Sequence, residues 1–372
     1  MNPILSKYAH LLVNYCLDIK KGDRLYIKST TLAEPLIREV YREALKAGAL
    51  PVVDLEFREK GKIFMEEAEG DQLRFVSPLY KQAMEEYEAY LFIRAPFNLK
   101  EDGKADPEKL KITNEVNAPI SKRYFERTAT RELKRSLCQY PTIAAAQNAG
   151  LSLEDYEKFV FGACNLFEDD PVQKWLDVRK FQQQIVDVLN TREKVQYKGD
   201  GIDITFSTKG RTWINSDGQT NMPSGEVYTS PVENSVNGVI NFSYPAVYMG
   251  QEVEDVTLWV KDGYIEKWEA KQGKEFLNQI FEIDGTRRFG EAAIGTNYKI
   301  NRFTKNILFD EKIGGTVHMA VGQSYLQTGG KNQSAIHWDM IANMMNGGEI
   351  FADDEKIYES GRFLFVDSLP LQ

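Results

Sequence analysis

Apolar positions near the start of the chain recur at helical spacing. Ile4, Leu5, Tyr8, Leu11 and Leu12 lie three or four positions apart, or side by side. This spacing places them on one face of a helix and predicts an amphipathic opening helix. We therefore interpret the N-terminal segment as part of the folded core. It has no basic stretch followed by an apolar run, as a secretory signal would have.

Short apolar runs and longer helical patterns alternate through residue 193. Such alternation is typical of a parallel or mixed sheet covered by helices. The polar stretch 106–136 also has helix-forming composition. The predicted strands are RLYIKST, PVVDLEF and YLFIRAP, and the other predicted helices are AEPLIREVYREALKAGA, the stretch around DQLRFVSPLYKQAMEEYEA, SLEDYEKFVFGACNL with a capping box at Ser152 and Asp155, and DPVQKWLDVRKFQQQIVDVLNTRE.

The pattern changes near Lys194, where polar and apolar residues begin to alternate between glycine-containing turns. Alternation of this kind predicts strands, and Asp262-Gly263 between two alternating runs predicts a hairpin. One helix, GKEFLNQIFEI, interrupts the strands. The predicted fold is α/β, with residues 1–193 as an N-terminal α/β domain, its sheet flanked by helices, and 194–372 as a C-terminal mainly-β α+β domain.

Composition narrows the class of protein. The 372 residues carry a formal net charge of −9 without a basic run, which argues against nucleic acid as a partner. No apolar run approaches the ~18–20 residues of a membrane span. Cys16, Cys138 and Cys164 are far apart and form no C-x-x-C pair, so we expect no disulfide framework and a cytoplasmic location.

The chain has only three histidines, and two of them lie close together in sequence. His10 lies in the opening amphipathic helix, where we expect a structural role. His337 is followed by Asp339 at i+2, so an extended backbone would place both on one face and Trp338 on the other. His318 lies nineteen residues earlier. A His-x-Asp pair is a weak signal alone, because the wet face of an ordinary strand produces the same pattern.

Three glutamates strengthen the case for a metal site. Glu226, Glu291 and Glu311 each lie near glycine at the end of an apolar run. A carboxylate that faces a core there needs a partner or a metal, although each one alone could be a solvated strand end. Carboxylates with imidazoles and no cysteine suit divalent ions such as Zn²⁺, Co²⁺ or Mn²⁺.

The number of candidate ligands indicates two metals rather than one. A catalytic zinc usually has three protein ligands, and this set is larger. Two ions ~3.5–4 Å apart can share a carboxylate, hold a hydroxide and polarise a carbonyl. Hydrolysis of an amide or ester is the natural reaction. The sequence contains no G-x-S-x-G, P-loop, G-x-G-x-x-G or H-E-x-x-H motif, which disfavours other common mechanisms.

Four motifs in order, NMPSGEVYTSPVENSVNGVI, FGEAAIGTN, ILFDEKIGGTVHMAVGQSY and GGKNQSAIHWDM, resemble the M29 family of metallo-aminopeptidases, the thermophilic aminopeptidase T type. The strong motifs span roughly residues 195–372. The resemblance implies a homodimer that removes N-terminal residues from peptides with two divalent metals (Zn, Co, Mn or Mg). It also implies a role near the metals for Tyr325. The implied metal ligands are Glu226, Glu291, Glu311, His318, His337 and Asp339.

The expected mechanism is attack of a metal-bound hydroxide on the scissile carbonyl, with Glu291 as bridging ligand or general base and Tyr325 as donor to the oxyanion. Compared with some members of the family, the chain has a longer gap between Glu311 and His318 and lacks an insertion before His337. This difference is expected to affect substrate access. Two alternatives stay open: a metal-dependent hydrolase of another amide or ester, and a peptide-binding protein without activity.

Overall fold

The computed structural model describes residues 2–101 and 106–366, and the chain folds into two compact units. The first comprises residues 1–172 and 218–223, and the second comprises 173–217 and 224–372. The domain division between residues 193 and 194 stays a prediction. In the described part of the chain, no helix is both long and apolar enough to cross a membrane.

The helices and strands are numbered in chain order. The helices are α1 Pro3–His10, continued by a π-helical turn Leu11–Cys16, α2 Glu34–Lys46, α3 Lys60–Glu67, α4 Pro78–Glu86, α5 Pro107–Ala129, α6 Ile143–Asn148, α7 Leu153–Ala163, α8 Pro171–Leu189, α9 Lys274–Ile280 and α10 Ile307–Asp310. The strands are β1 Arg24–Thr30, β2 Leu50–Glu56, β3 Ala89–Arg94, β4 Lys134–Gln139, β5 Lys194–Gly199, β6 Ile202–Ser207, β7 Ile214–Ser216, β8 Asn221–Met222, β9 Glu226–Thr229, β10 Asn237–Phe242, β11 Ala246–Tyr248, β12 Gln251–Val253, β13 Val256–Lys261, β14 Tyr264–Glu269, β15 Phe289–Gly295, β16 Thr316–Gly322, β17 His337–Asn343, β18 Glu349–Ala352, β19 Glu355–Glu359 and β20 Arg362–Phe363.

The first unit contains a parallel sheet in the order β2-β1-β3-β4-β8. Helices connect its strands, as the alternating pattern predicts, because parallel neighbours need a crossover. The predicted cap of α7 is also present: the Ser152 hydroxyl accepts a hydrogen bond of 3.1 Å from the Asp155 main-chain N–H. The α/β class of this half of the chain is therefore confirmed.

Strand β4 was not predicted, because its first residues lie in a stretch that was predicted to be helical. The polar stretch 106–136 forms α5 only as far as Ala129, and β4 then begins at Lys134. Its pairing with β3 along six residues buries Ser136 and Cys138, so tertiary contacts outweigh helix propensity. The short helices α3 and α6 were not predicted either.

The second unit is mainly β. An antiparallel sheet in the order β14-β13-β10-β6-β5-β18-β19-β20 shares one apolar core with a second sheet, β17-β16-β15-β9-β7, and β11 pairs with β12. The predicted hairpin joins β13 to β14 through Asp262 (φ 49°) and Gly263 (φ 76°). Both left-handed conformations match the turn that Asp-Gly favours. The predicted helix is present as α9, and the mainly-β prediction is confirmed.

The sheet β17-β16-β15-β9-β7 positions the candidate site. Every residue of β15 and β16 is buried, so polar side chains on these strands must find partners inside the protein. The antiparallel register places Glu226 opposite Gly295, His318 opposite Ala293, and Asp339 opposite Ala320. Small residues therefore lie beside the polar side chains, which leaves room for those side chains to converge.

Candidate metal centre

The structure brings all six predicted ligands into two groups of three. Within each group the candidate ligand atoms all lie within 4.8 Å of one another. We call Glu226, Glu311 and His318 the first trio, and Glu291, His337 and Asp339 the second trio. Five of these residues lie on β9, β15, β16 and β17, and Glu311 is the C-cap of α10.

Strand β17 presents its side chains as the i, i+2 spacing predicts. His337 and Asp339 both belong to the second trio. Trp338 lies in the apolar core and is 3% exposed, with ring centroids 5.7 Å from Tyr248 and 6.0 Å from Phe276. The strand thus holds polar ligands on one face while its other face is anchored by an aromatic cluster.

Glu291 lies between the two imidazoles. Its Oε1 is 3.7 Å from His318 Nε2, and its Oε2 is 3.0 Å from His337 Nε2. His318 belongs to the first trio, so the two oxygens of one carboxylate face different trios. This is the arrangement that a carboxylate bridging two ions requires.

Unsatisfied polar atoms indicate that the residues fit a bound cation. His318 Nδ1 is buried and has no hydrogen-bond partner. Asp339 Oδ1 is buried, accepts no hydrogen bond and lies 3.5 Å from His337 Nε2. Buried polar groups without partners are rare in folded proteins. Oxygen and imidazole donors in this number suit divalent ions, so the set fits the metals that the sequence predicts.

The ionisation of these groups reflects their packing. Burial lowers the pKa of His318, but the carboxylates of Glu291 and Glu226, 3.7 Å and 3.4 Å from its Nε2, outweigh burial and raise the pKa to about 9. The pKa of His337 is likewise raised well above its usual value: burial lowers it, and Asp339 and Glu291 raise it by more. The neighbouring carboxylates therefore favour the protonated form of both imidazoles when no metal competes.

The carboxylates respond in opposite directions. Burial raises the pKa of Asp339, yet His337 lowers it further, to about 2. Burial raises the pKa of Glu291, but the neighbouring imidazoles of His318 and His337 outweigh burial and lower it overall. In contrast, burial raises the pKa of Glu311 to about 8 despite the neighbouring ammonium of Lys312. The second trio therefore keeps its carboxylates ionised more readily than Glu311.

A buried glutamine fixes the main chain at Glu226. The Nε2 of Gln182, on α8, donates hydrogen bonds to Asn215 Oδ1 (2.8 Å), Ser216 O (3.0 Å) and Glu226 O (2.9 Å). Its Oε1 accepts a hydrogen bond of 3.2 Å from the hydroxyl of Thr296. No pattern in the sequence identified Gln182, because one polar residue in an amphipathic helix is ordinary.

Gly225, next to Glu226, allows Asn297 to pack closely against the main chain. It has φ 119°, and a Cβ built there would lie 2.6 Å from Cβ of Asn297. Asn297 Nδ2 in turn donates a hydrogen bond of 2.9 Å to Ser224 O. Glycine is required at this position for both its conformation and its size. The sequence signal was the glycine that precedes Glu226.

Tyr325 lies beside the second trio. Its hydroxyl is 3.3 Å from His337 Nε2, and its ring centroid is 4.9 Å from that of His337. His337 Nδ1 lies 2.7 Å from Gln323 O, a bond in which the imidazole must be the donor. This hydrogen bond leaves Nε2 to face Glu291. The ring of Tyr228 packs 5.4 Å from Tyr325 and was not predicted as part of the site.

Sequence reasoning also missed Lys312, which adjoins the predicted ligand Glu311. Its side chain is fully buried; its ammonium contacts Glu311 Oε1 and lies 3.5 Å from Glu226 Oε1. Burial lowers the pKa of Lys312, and the charges of Glu226 and Glu311 raise it by more. A lysine directly after a candidate ligand and before a glycine pair was the available signal.

Two other polar residues have positions outside the trios. Asp310 accepts hydrogen bonds from the main chain and hydroxyl of Thr304 and from the main chain of Asn306, which closes the loop before α10. His10 is on an exposed part of α1, with Nδ1 2.9 Å from Glu43 Oε1. His10 thus belongs to a surface cluster of the first unit.

Comparisons with known proteins cover nearly the whole chain. The sequence model of a family described as thermophilic metalloprotease (M29) matches residues 1–363. Aminopeptidase 2 of Geobacillus stearothermophilus is 28% identical over 408 aligned positions, with 97% of this chain and 98% of that protein covered. Aminopeptidase T of Thermus thermophilus is 25% identical, with 96% and 95% covered.

A solved structure shares the fold. The structure titled wild-type AmpT from Thermus thermophilus superposes with a TM-score of 0.83, at 24% sequence identity, and covers 97% of this chain and 99% of its own. Agreement of this extent shows that both units of the chain have counterparts in one known fold.

Proposed function

The chain belongs to the M29 family of thermophilic metalloproteases, and from this premise we propose that it is an aminopeptidase with two metal ions, which releases N-terminal amino acids from peptides. Relatives that align over nearly all of both sequences carry the name aminopeptidase, which supports this choice among hydrolases. The proposal includes a homodimeric state and a cytoplasmic location.

The observation that carries the proposal is the position of Glu291 between two trios of ligands. One metal would be held by Glu226, Glu311 and His318 and the other by His337 and Asp339, with Glu291 shared. Two divalent ions, when bound, lower the pKa of a water molecule and polarise the scissile carbonyl. The choice among Zn, Co, Mn and Mg depends on availability, because these donors accept several ions.

The protein's own residues supply orientation and proton transfer. The hydrogen bond from His337 Nδ1 to Gln323 O fixes the ring so that Nε2 can act as a ligand. Glu291 is buried and its pKa is lowered, so it stays ionised. It would either bridge the two ions or, if one of its oxygens is left free, accept a proton from the attacking water. Tyr325, whose hydroxyl is a neighbour of His337, is suited to donate a hydrogen bond to the oxyanion.

The test combines metal removal with a choice of substrates. Chelated protein should lose hydrolysis of aminoacyl-p-nitroanilides, and addition of Zn²⁺, Co²⁺ or Mn²⁺ should restore it. The same substrates with an acetylated amino group should be poor, because an aminopeptidase recognises the free amine. Cleavage of only the blocked substrates would favour a different amide or ester hydrolase. Absence of metal-dependent hydrolysis of either class would favour the peptide-binding alternative.

A further inference from the structure

The ammonium of Lys312 is in ion-pair contact with the first trio, and its charge also acts, without such contact, on Asp339 of the second trio. The ammonium contacts Glu311 Oε1 and lies 3.5 Å from Glu226 Oε1. Both carboxylates belong to the first trio. Among the described residues, no carboxylate of the second trio comes within ion-pair distance of this ammonium. The electrostatic environments of the two trios therefore differ, although their ligand types are alike.

The backbone and the packing hold Lys312 in this position. Its main-chain oxygen accepts a hydrogen bond of 3.0 Å from Asn297 N, and its main-chain N–H donates a hydrogen bond of 3.0 Å to Phe309 O. The side chain has no exposed surface. A lysine on the surface could swing into water when a cation arrived, but this one is enclosed, so its charge stays next to Glu226 and Glu311.

The total charge of the site indicates that Lys312 affects metal binding at the first trio. Before any hydroxide is bound, two divalent ions alone would neutralise the four carboxylates of the trios, Glu226, Glu291, Glu311 and Asp339. Lys312 adds one positive charge to that balance. Like charges a few ångströms apart repel strongly where water is excluded, and a cation in the first trio would lie close to the ammonium. It would also share both glutamates with it.

We propose that Lys312 makes the two metal positions unequal, so that the second trio binds its ion tightly and the first trio binds its ion weakly and exchangeably. This inference rests on the proposed two-metal function. It implies that the protein carries one ion at low metal concentration and fills the first trio only as the concentration rises.

An alternative role for Lys312 predicts the opposite effect of its removal. If the ammonium served mainly to orient Glu311 as a ligand, a neutral side chain would weaken metal binding at the first trio. If Lys312 competes with the metal, a neutral side chain of similar length strengthens it. Lys312→Met removes the charge and keeps an unbranched chain that packs well in a core. Whether metal binding at the first trio becomes stronger or weaker therefore distinguishes the two roles.

Calorimetric titration of metal-stripped protein with Zn²⁺ provides the first measurement. Wild type should show two classes of site whose dissociation constants differ by about tenfold or more, about 1.4 kcal/mol. Lys312→Met should tighten the weaker class. Lys356→Met is the matched control, because Lys356 pairs with Glu349 (2.8 Å) and Glu359 (3.0 Å) away from the ligands and should leave both classes unchanged. Equal sites in wild type, or weaker binding in Lys312→Met, would overturn the inference.

Ligand variants assign the two classes without altering Lys312. Glu226→Gln should abolish the weak class and keep the tight one, whereas Asp339→Asn should abolish the tight class. The reverse assignment would overturn the inference even if Lys312→Met failed to fold, which circular dichroism would reveal. Wild-type protein that binds no metal would instead contradict the proposed function, so the two failures are distinguishable.

Discussion

Gln182 Nε2 donates a hydrogen bond of 2.9 Å to the main-chain oxygen of Glu226, which lies 44 positions later in the chain. A fully buried amide on a helix thereby fixes the start of the strand that carries a candidate ligand. Two further acceptors, Asn215 Oδ1 and Ser216 O, share the same amide nitrogen. The geometry of the first trio therefore depends on a residue that would contact no metal.

Substitution Gln182→Ala should lower both stability and metal affinity. It removes the side-chain donor to Glu226 O, and a buried acceptor left unsatisfied costs about 1–3 kcal/mol. Ser216 O keeps hydrogen bonds from the Ser224 hydroxyl and the Gly225 N–H. Loss of an outer partner of a ligand typically reduces metal affinity ~10–100-fold. Denaturant unfolding and Zn²⁺ titration measure the two effects. Gln184→Ala, on the exposed side of the same helix, is the control, and equal behaviour of the two variants would contradict the role of Gln182.

Loss of a proposed ligand should remove turnover. Glu291→Ala and His337→Ala should each reduce kcat/KM by more than the ~10–100-fold expected for an outer partner, because each removes a direct ligand. His10→Ala should remain near wild type, since His10 is exposed and pairs with Glu43. Steady-state assays with an aminoacyl-p-nitroanilide provide the measurement. Normal turnover in either ligand variant would refute the site.

Tyr325→Phe should lower kcat while metal binding is retained. A well-placed donor to an oxyanion contributes about 2.7–4 kcal/mol, or ~10²–10³-fold in kcat. Tyr228→Phe is the matched control, because Tyr228 packs against Tyr325 but is not itself the proposed donor. Similar small losses in both variants would reduce Tyr325 to a packing residue.

Gly225→Ala should displace the adjacent candidate ligand Glu226, because the new methyl group would clash with Asn297. The added Cβ would lie 2.6 Å from Asn297 Cβ, at a φ of 119° that side chains rarely adopt. Gly210→Ala is the control for conformation alone, because Gly210 has φ 70° with nothing within 4 Å of its built Cβ. We expect the first variant to lose more thermal stability and more Zn²⁺ affinity than the second. An equal loss would assign the effect to conformation and not to the close approach.

Metal-free protein should become less stable as the pH rises from about 6.5 to about 9. The pKa of His318 is raised to about 9, so its stabilising contribution is complete below its unfolded pKa and disappears as the pH passes the folded one. Glu311, with its pKa raised to about 8, acts in the same direction because burial penalises its charge. The melting temperature at pH 6.5, 7.5 and 9 measures the effect.

Metal-loaded protein provides the control for this pH series. Metals bind the neutral imidazole, so loaded protein should not show the same fall. His318→Gln, without metal, should flatten the slope. A melting temperature of metal-free wild type that is constant or rises over this range would contradict the assignment of His318.

The candidate ligands were identified from local sequence signals, whereas parts of the surrounding structure have no such signal. Glycine-flanked glutamates and the spacing of His337 and Asp339 are local signals, and all six candidate ligands converge in the structure. Lys312 and Gln182 had no such signal. Their roles come from burial and from distant partners such as Glu226, and periodicity carries no information about such pairings.

The same distinction applies to secondary structure. The hairpin at Asp262-Gly263 is encoded by the turn itself, so the sequence was sufficient. Strand β4 is polar at its start and becomes a strand because β3 and β8 pair with it. Elements fixed by neighbours distant in the chain are therefore the ones that local patterns miss.

The candidate ligands come from four neighbouring strands and the C-cap of one short helix, spread from Glu226 to Asp339. No local segment can hold an ion with full affinity, so bound metal recognises the sheet only after these strands have assembled. Ligands that bind late in folding stabilise the native state more than the transition state, and they slow unfolding without accelerating folding. If the proposed metals bind, their occupancy would also set the kinetic lifetime of this half of the protein, and its resistance to proteolysis wherever cleavage is faster than refolding of the opened state.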